Sequence, residues 1–174
     1  MRLRRLSLAI VIATAAPALA AADQPQSLGT FRDWSAYMSG SGDQKVCYAL
    51  AQPKSSVPKK KRDKIYFLIS DWPGRHPAAR GEVEIVPGFK YKDGSDVTLK
   101  VGAQTYKLFT KNDGDDGSAW VQELSDEKPM VEALRSGSSA TVTGISSRGS
   151  TIRDTYSLSG LADALDKAHD ACGM

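Results

Sequence analysis

A length of 174 residues, 41% of them hydrophobic and 25% charged, suits one folded domain with its own core. Lys and Arg number 23 against 20 Asp and Glu, but Arg2, Arg4 and Arg5 precede every acidic residue, and without them the charges balance at 20 against 20. The basic balance of the full chain therefore gives no argument for nucleic acid, and two cysteines with two histidines are too few and too scattered for a zinc cluster.

The first 22 residues read as a cleaved signal peptide. Arg2, Arg4 and Arg5 make a positive start, Leu6 to Ala16 is an apolar run, and Ala18-Leu19-Ala20 and Ala20-Ala21-Ala22 are small-residue cleavage sites. The run is too short for a transmembrane helix. Arg4-Arg5 raises the twin-arginine route, although the surrounding pattern matches it poorly, and no cysteine follows to carry a lipid anchor. The expectation is an exported protein, periplasmic or at the cell surface, with one mature domain over 23–174.

Gly29 to Met38 reads as a first strand, with Trp34, Ala36 and Met38 on one side. Val46 to Ala51 is a second strand and carries Cys47. Lys54 to Lys64 is a loop, marked by Pro53, Ser55, Ser56 and Pro58. It holds most of the clustered charge: Lys59, Lys60, Lys61, Arg62 and Lys64. A solvated, mobile loop is one reading; a site for an anionic glycan or lipid surface is the other. No aromatic platform is interleaved with these cations, so nucleic acid is not indicated.

Ile65 to Ile69 is apolar on both faces and is expected to be a central strand. Asp71 to Pro77 follows as a loop whose Trp72 and His76 are candidates for an exposed recognition pair; the alternative for Trp72 is packing over a core edge. Glu82 to Val86 is an alternating strand. Val97 to Val101 and Thr105 to Phe109 form a hairpin across Gly102-Ala103. Lys111 to Gly117 resembles a calcium loop, but counting from Asp113 puts Gly117 at the fifth position and Leu124 at the twelfth, where oxygen ligands are needed. A hairpin turn before a strand around Trp120 is the better reading. Met130, Val131 and Leu134 lie at helical spacing, and Gly137 stops that helix.

The most informative stretch is the last. Two alternating runs flank Ser147-Arg-Gly-Ser and read as a hairpin. Ile152, Asp154, Tyr156 and Leu158 share one face, so Asp154 is a carboxylate in an apolar row. It is either held by backbone amides or Arg148, or it is a buried functional acid. A short helix follows, with Leu161, Leu165, Ala168 and Cys172 on one face, which turns Cys172 toward the core. His169 sits near the helix C-terminus, where a cation is favoured. An even pair of cysteines in an exported chain reads as one disulfide, Cys47–Cys172, with two reactive thiols as the alternative.

Eight or so strands and two short helices, one at the C-terminus, indicate a mainly β chain built as an antiparallel β-sandwich. Reaction chemistry is not evident. Gly144 to Gly149 misses a nucleophile elbow by one residue, there is no phosphate loop, and His76 and His169 lie on different elements. The chain therefore reads as a non-enzymatic binding protein without a cofactor; an envelope hydrolase using Asp154 is an alternative.

Several runs together resemble the invasion-associated locus B (IalB) family of exported alphaproteobacterial proteins. They are Asp33-Trp34, Lys45-Val-Cys-Tyr-Ala-Leu-Ala-Gln-Pro-Lys, Ile65-Tyr-Phe-Leu-Ile-Ser, Gly94-Ser-Asp-Val-Thr, Asp115-Asp-Gly-Ser-Ala-Trp-Val and Met130-Val-Glu-Ala-Leu-Arg-Ser-Gly. The most specific part runs from Ser147-Arg-Gly-Ser-Thr through Asp154-Thr-Tyr-Ser-Leu-Ser-Gly to Ala164-Leu and Cys172. The resemblance implies an immunoglobulin-like β-sandwich, export, and a link to host-cell invasion in pathogenic members. It implies envelope components or a host-cell surface as partners. Cys47 and Cys172 match the family's cysteine pattern, which supports the disulfide. No catalytic residues come with it, and the lysine-rich loop is not part of it.

Overall fold

The computed structural model describes residues 24–62 and 64–174; the expected signal peptide, 1–22, lies outside them. Eleven strands and two helices follow in order. They are β1 (Gln26–Phe31), β2 (Trp34–Ser39), β3 (Val46–Ala51), β4 (Ser55–Val57), β5 (Tyr66–Trp72), β6 (Ala79–Val86), β7 (Val97–Val101), β8 (Gln104–Asp113) and β9 (Asp116–Val121), then α1 (Leu124–Ser136), β10 (Ser139–Ile145), β11 (Thr151–Ser157) and α2 (Leu161–Cys172). The chain is mainly antiparallel β, with one helix at the C-terminus, as the alternation and turn spacing lead one to expect.

All the strands join one sheet in the order β1-β2-β3-β5-β6-β9-β8-β7-β10-β11-β4. That sheet is not open and flat. Trp34 on β2 meets Phe67 on β5 edge-on at 5.5 Å, and Phe67 meets Tyr156 on β11 edge-on at 5.3 Å. The Trp34 indole donates to the Ser157 carbonyl at 2.9 Å. Strands from opposite ends of the order therefore face each other, and the sheet doubles over one core, a layout that fits the expected sandwich. Inward residues of both halves, Ile69, Val83, Leu99, Leu108 and Val142 among them, share that core with Met130 and Leu134 of α1 and Leu161 and Leu165 of α2. Helix α2 packs on β1, β2, β3 and β5; α1 packs on β6, β8 and β9.

Three local expectations change. The run Gly29 to Met38 is not one strand: the chain reverses at Arg32-Asp33, with Arg32 at φ 54°, so that Phe31 pairs with Trp34. A two-residue hairpin needs positive φ, and here neither Gly nor Asn marks it. The stretch 54–64 is not loop throughout, because β4 pairs with Arg153, Asp154 and Thr155 of β11 and covers that edge. Strand β5 continues through Asp71 and Trp72, so the expected loop starts later. The Lys111–Gly117 stretch is the β8–β9 hairpin, as read.

Candidate functional site

Arg62 is not a surface cation. Its side chain is 7% exposed, and its guanidinium grips both carboxylate oxygens of Asp154, Nη1 reaching Oδ2 at 3.0 Å and Nη2 reaching Oδ1. It also donates to the Pro87 carbonyl at 2.8 Å and to Ser56 Oγ at 2.9 Å, and it lies 5.5 Å above the Phe89 ring. Arg62 therefore leaves the expected anion-binding set and becomes the root of the loop. Asp154 is held by Arg62, not by Arg148 or backbone amides. It lies beneath β4 and that guanidinium, 3% exposed. Tyr91 and Tyr156 pack beside the pair; burial pushes both phenols well above the usual tyrosine range, Asp154 adds to the effect and Arg62 opposes it.

With Arg62 anchored and β4 paired, Lys59, Lys60, Lys61 and Lys64 project from a fixed base and remain exposed. On one side Lys60 and Lys61 line a cleft of about 520 Å³ with Lys90 and Arg148, against one acidic residue among the described ones, Asp115. On the other side Lys54, Lys59, Lys60 and Lys64 surround a second cleft of about 420 Å³. Of these, Lys54 is paired with Asp33, whose carboxyl is held below the usual range by hydrogen bonds from Lys54 and Ser157.

Trp72 and His76 do not form a pair. The Trp72 indole donates to Glu82 Oε1 at 3.1 Å and carries the Arg75 guanidinium 4.2 Å above its ring; Arg75 in turn bonds Glu82 Oε2 at 2.5 Å. Trp72 is half-buried in this cluster, while His76 is exposed.

The sequence reading missed a buried carboxylate–imidazole pair. Asp71 is 1% exposed; one of its oxygens accepts the Gly81 N–H at 2.9 Å and the other meets His169 Nδ1. In register, Asp71 lies opposite Cys47. Cys47 is bonded to Cys172, one helical turn beyond His169, with 5.9 Å between the Cα atoms. Helix α2 is thus fastened to the β3–β5 pair by two adjacent links, one a disulfide and one a hydrogen bond. The i, i+3 spacing of His169 and Cys172 was the available signal. Among the described residues no cluster of His, Cys, Asp and Glu suits a metal ion, and no helix is long and apolar enough to cross a membrane.

Residues 34–169 match the family described as Invasion associated locus B (IalB) protein. Among solved structures, the chain is similar to the crystal structure of invasion associated protein B from Bartonella henselae, with a TM-score of 0.57 and 17% identity over 84% of this chain and 98% of that one. That identity speaks for the fold alone. No curated protein matches by sequence.

Proposed function

The chain belongs to the invasion associated locus B family, and on that premise we propose that it is an exported, non-enzymatic binding protein that engages anionic lipid or glycan surfaces of a cell envelope or host cell. The observation that carries this reading is the cleft where Lys60, Lys61, Lys90 and Arg148 face one acid on a base anchored by Arg62. Fixed cations lose little conformational freedom when they meet phosphates or carboxylates, so their attraction is kept as affinity. Export is supported by the Cys47–Cys172 disulfide, a bond that persists in oxidising compartments.

The test is co-sedimentation with vesicles carrying anionic lipid, against neutral vesicles. Each lysine near an anionic surface contributes on the order of 1 kcal/mol, so Lys60→Ser with Lys61→Ser should weaken binding about 10- to 30-fold. Binding should also fall steeply with salt. Arg62 is left intact because its replacement would disturb the core. Equal binding by the double variant, or to both vesicle types, would overturn the reading.

A further inference from the structure

The Asp71–His169 pair opens onto a cleft that the proposed function does not use. Arg80 of β6, Lys128, Glu132 and Arg135 of α1, and Asp166 and His169 of α2 line a space of about 570 Å³. It shares no lining residue with the lysine-rich cleft.

Three observations make it a built site. His169 is 8% exposed, and its Nδ1 is committed to the buried carboxylate of Asp71, which fixes the ring's orientation. Its Nε2 has no partner among the described residues, and the ring faces the cleft. A buried carboxylate on one ring nitrogen, with the other left free, is how proteins orient an imidazole toward a ligand. The second observation is a β-bulge. Between the pairs Ser70–Glu82 and Trp72–Ala79, strand β6 carries one residue more than β5. Gly81 sits there at φ 79°, and a Cβ on it would come within 3.3 Å of Val131 on α1. The bulge turns the Gly81 N–H to Asp71 and sets Arg80 on the cleft rim. The third is charge. Arg135 is matched by Asp166 at 2.8 Å, and Glu132 opposes one of Arg80 and Lys128, so one positive charge is left over before His169 is counted.

We propose that this cleft binds a small oxyanion group, a carboxylate or a phosphate, held by Arg80, Lys128 and the Nε2–H of His169. Nδ1 gives its proton to the hydrogen bond with Asp71, so Nε2 donates only in the imidazolium. The charged groups facing the ring are Asp71 from β5, Arg80 from β6, Lys128, Glu132 and Arg135 from α1, and Asp166 on its own helix. Lys45 bonds the Ala171 carbonyl at 2.5 Å on the next turn.

The experiment follows the two imidazoles of the oxidised protein by nitrogen NMR while acetate or inorganic phosphate is added at constant ionic strength. The exposed His76 is the internal control. His169 should shift saturably and His76 should not. The saturation curve of the His169 shift gives the affinity. Arg80→Gln with Lys128→Gln, both surface changes, should weaken it about 10-fold or more. The titrant that binds tighter identifies the oxyanion class. No saturable shift with either anion, or an unchanged affinity in the double variant, overturns the proposal.

Discussion

At the scale of single residues, the informative feature of this protein is where its charges are hidden. Asp154 sits in an apolar row of β11 at 3% exposure, a position that is tolerable because Arg62 meets both of its oxygens. Removing one member of such a pair strands the other, at a cost of about 3–5 kcal/mol. Asp154→Asn should therefore lower the denaturation midpoint sharply. Replacing both members with apolar residues of similar size, Arg62→Met with Asp154→Leu, should recover most of the loss. Chemical denaturation of the unaltered protein and the two variants measures both effects. If the double variant is as unstable as Asp154→Asn, the pair does more than satisfy its own charges. The oddity of Asp154 was legible in the sequence, since strand alternation places it among Ile152, Tyr156 and Leu158. Its partner was not, because Arg62 is 92 residues away and looks, in its run of lysines, like another surface cation.

At the scale of elements, the joint between β11 and α2 is the tightest point. Gly160 takes φ 89° there, and a Cβ would fall 1.8 Å from the Phe31 carbonyl oxygen. The β1–β2 hairpin is thus pressed against the start of α2, an approach also marked by the Asp33 N–H donating to the Ser159 carbonyl at 3.2 Å. Gly160→Ala combines a left-handed backbone penalty of roughly 1 kcal/mol or more with a clash that only a shift of backbone relieves. It should destabilise by more than about 2 kcal/mol, and amide exchange should rise in β1 and in the first turn of α2 together. Exchange confined to α2 would mean that the hairpin does not bear on the joint. That Gly160 separates strand from helix was readable from the chain. The neighbour pressed against it was not, because the hairpin turn at Arg32-Asp33 has no glycine to mark it and lies far from Gly160 in the chain.

At the scale of the whole molecule, the Cys47–Cys172 bond closes a loop of 125 residues and ties the last helix to the β3–β5 pair. Chain-entropy arguments give a constraint of this length a worth of about 4 to 5 kcal/mol. Cys47→Ser with Cys172→Ser should lower the denaturation midpoint accordingly. The Asp71–His169 pair, one turn away, should keep α2 docked in native conditions, so that the circular dichroism of the folded double variant is unchanged. Loss of helix signal without denaturant would show that the Asp71–His169 contact cannot hold α2 alone. A similar division holds for the surface. The lysines of the loop project from a base that β4 and Arg62 hold in place.

The sequence by itself determined the class of the chain, the strands with clear alternation, the two helices and the inward face of Cys172. These follow from local periodicity and from turn residues, which act over a few positions. Only the tertiary structure decided that the sheet doubles over so that Trp34, Phe67 and Tyr156 meet, that Arg62 turns inward to Asp154, and that Asp71 pairs with His169. Those contacts join residues far apart in the chain, up to 98 positions for Asp71 and His169. A carboxylate finds its cation through the burial of both, and burial is a property of how the sheet closes, which no local pattern encodes.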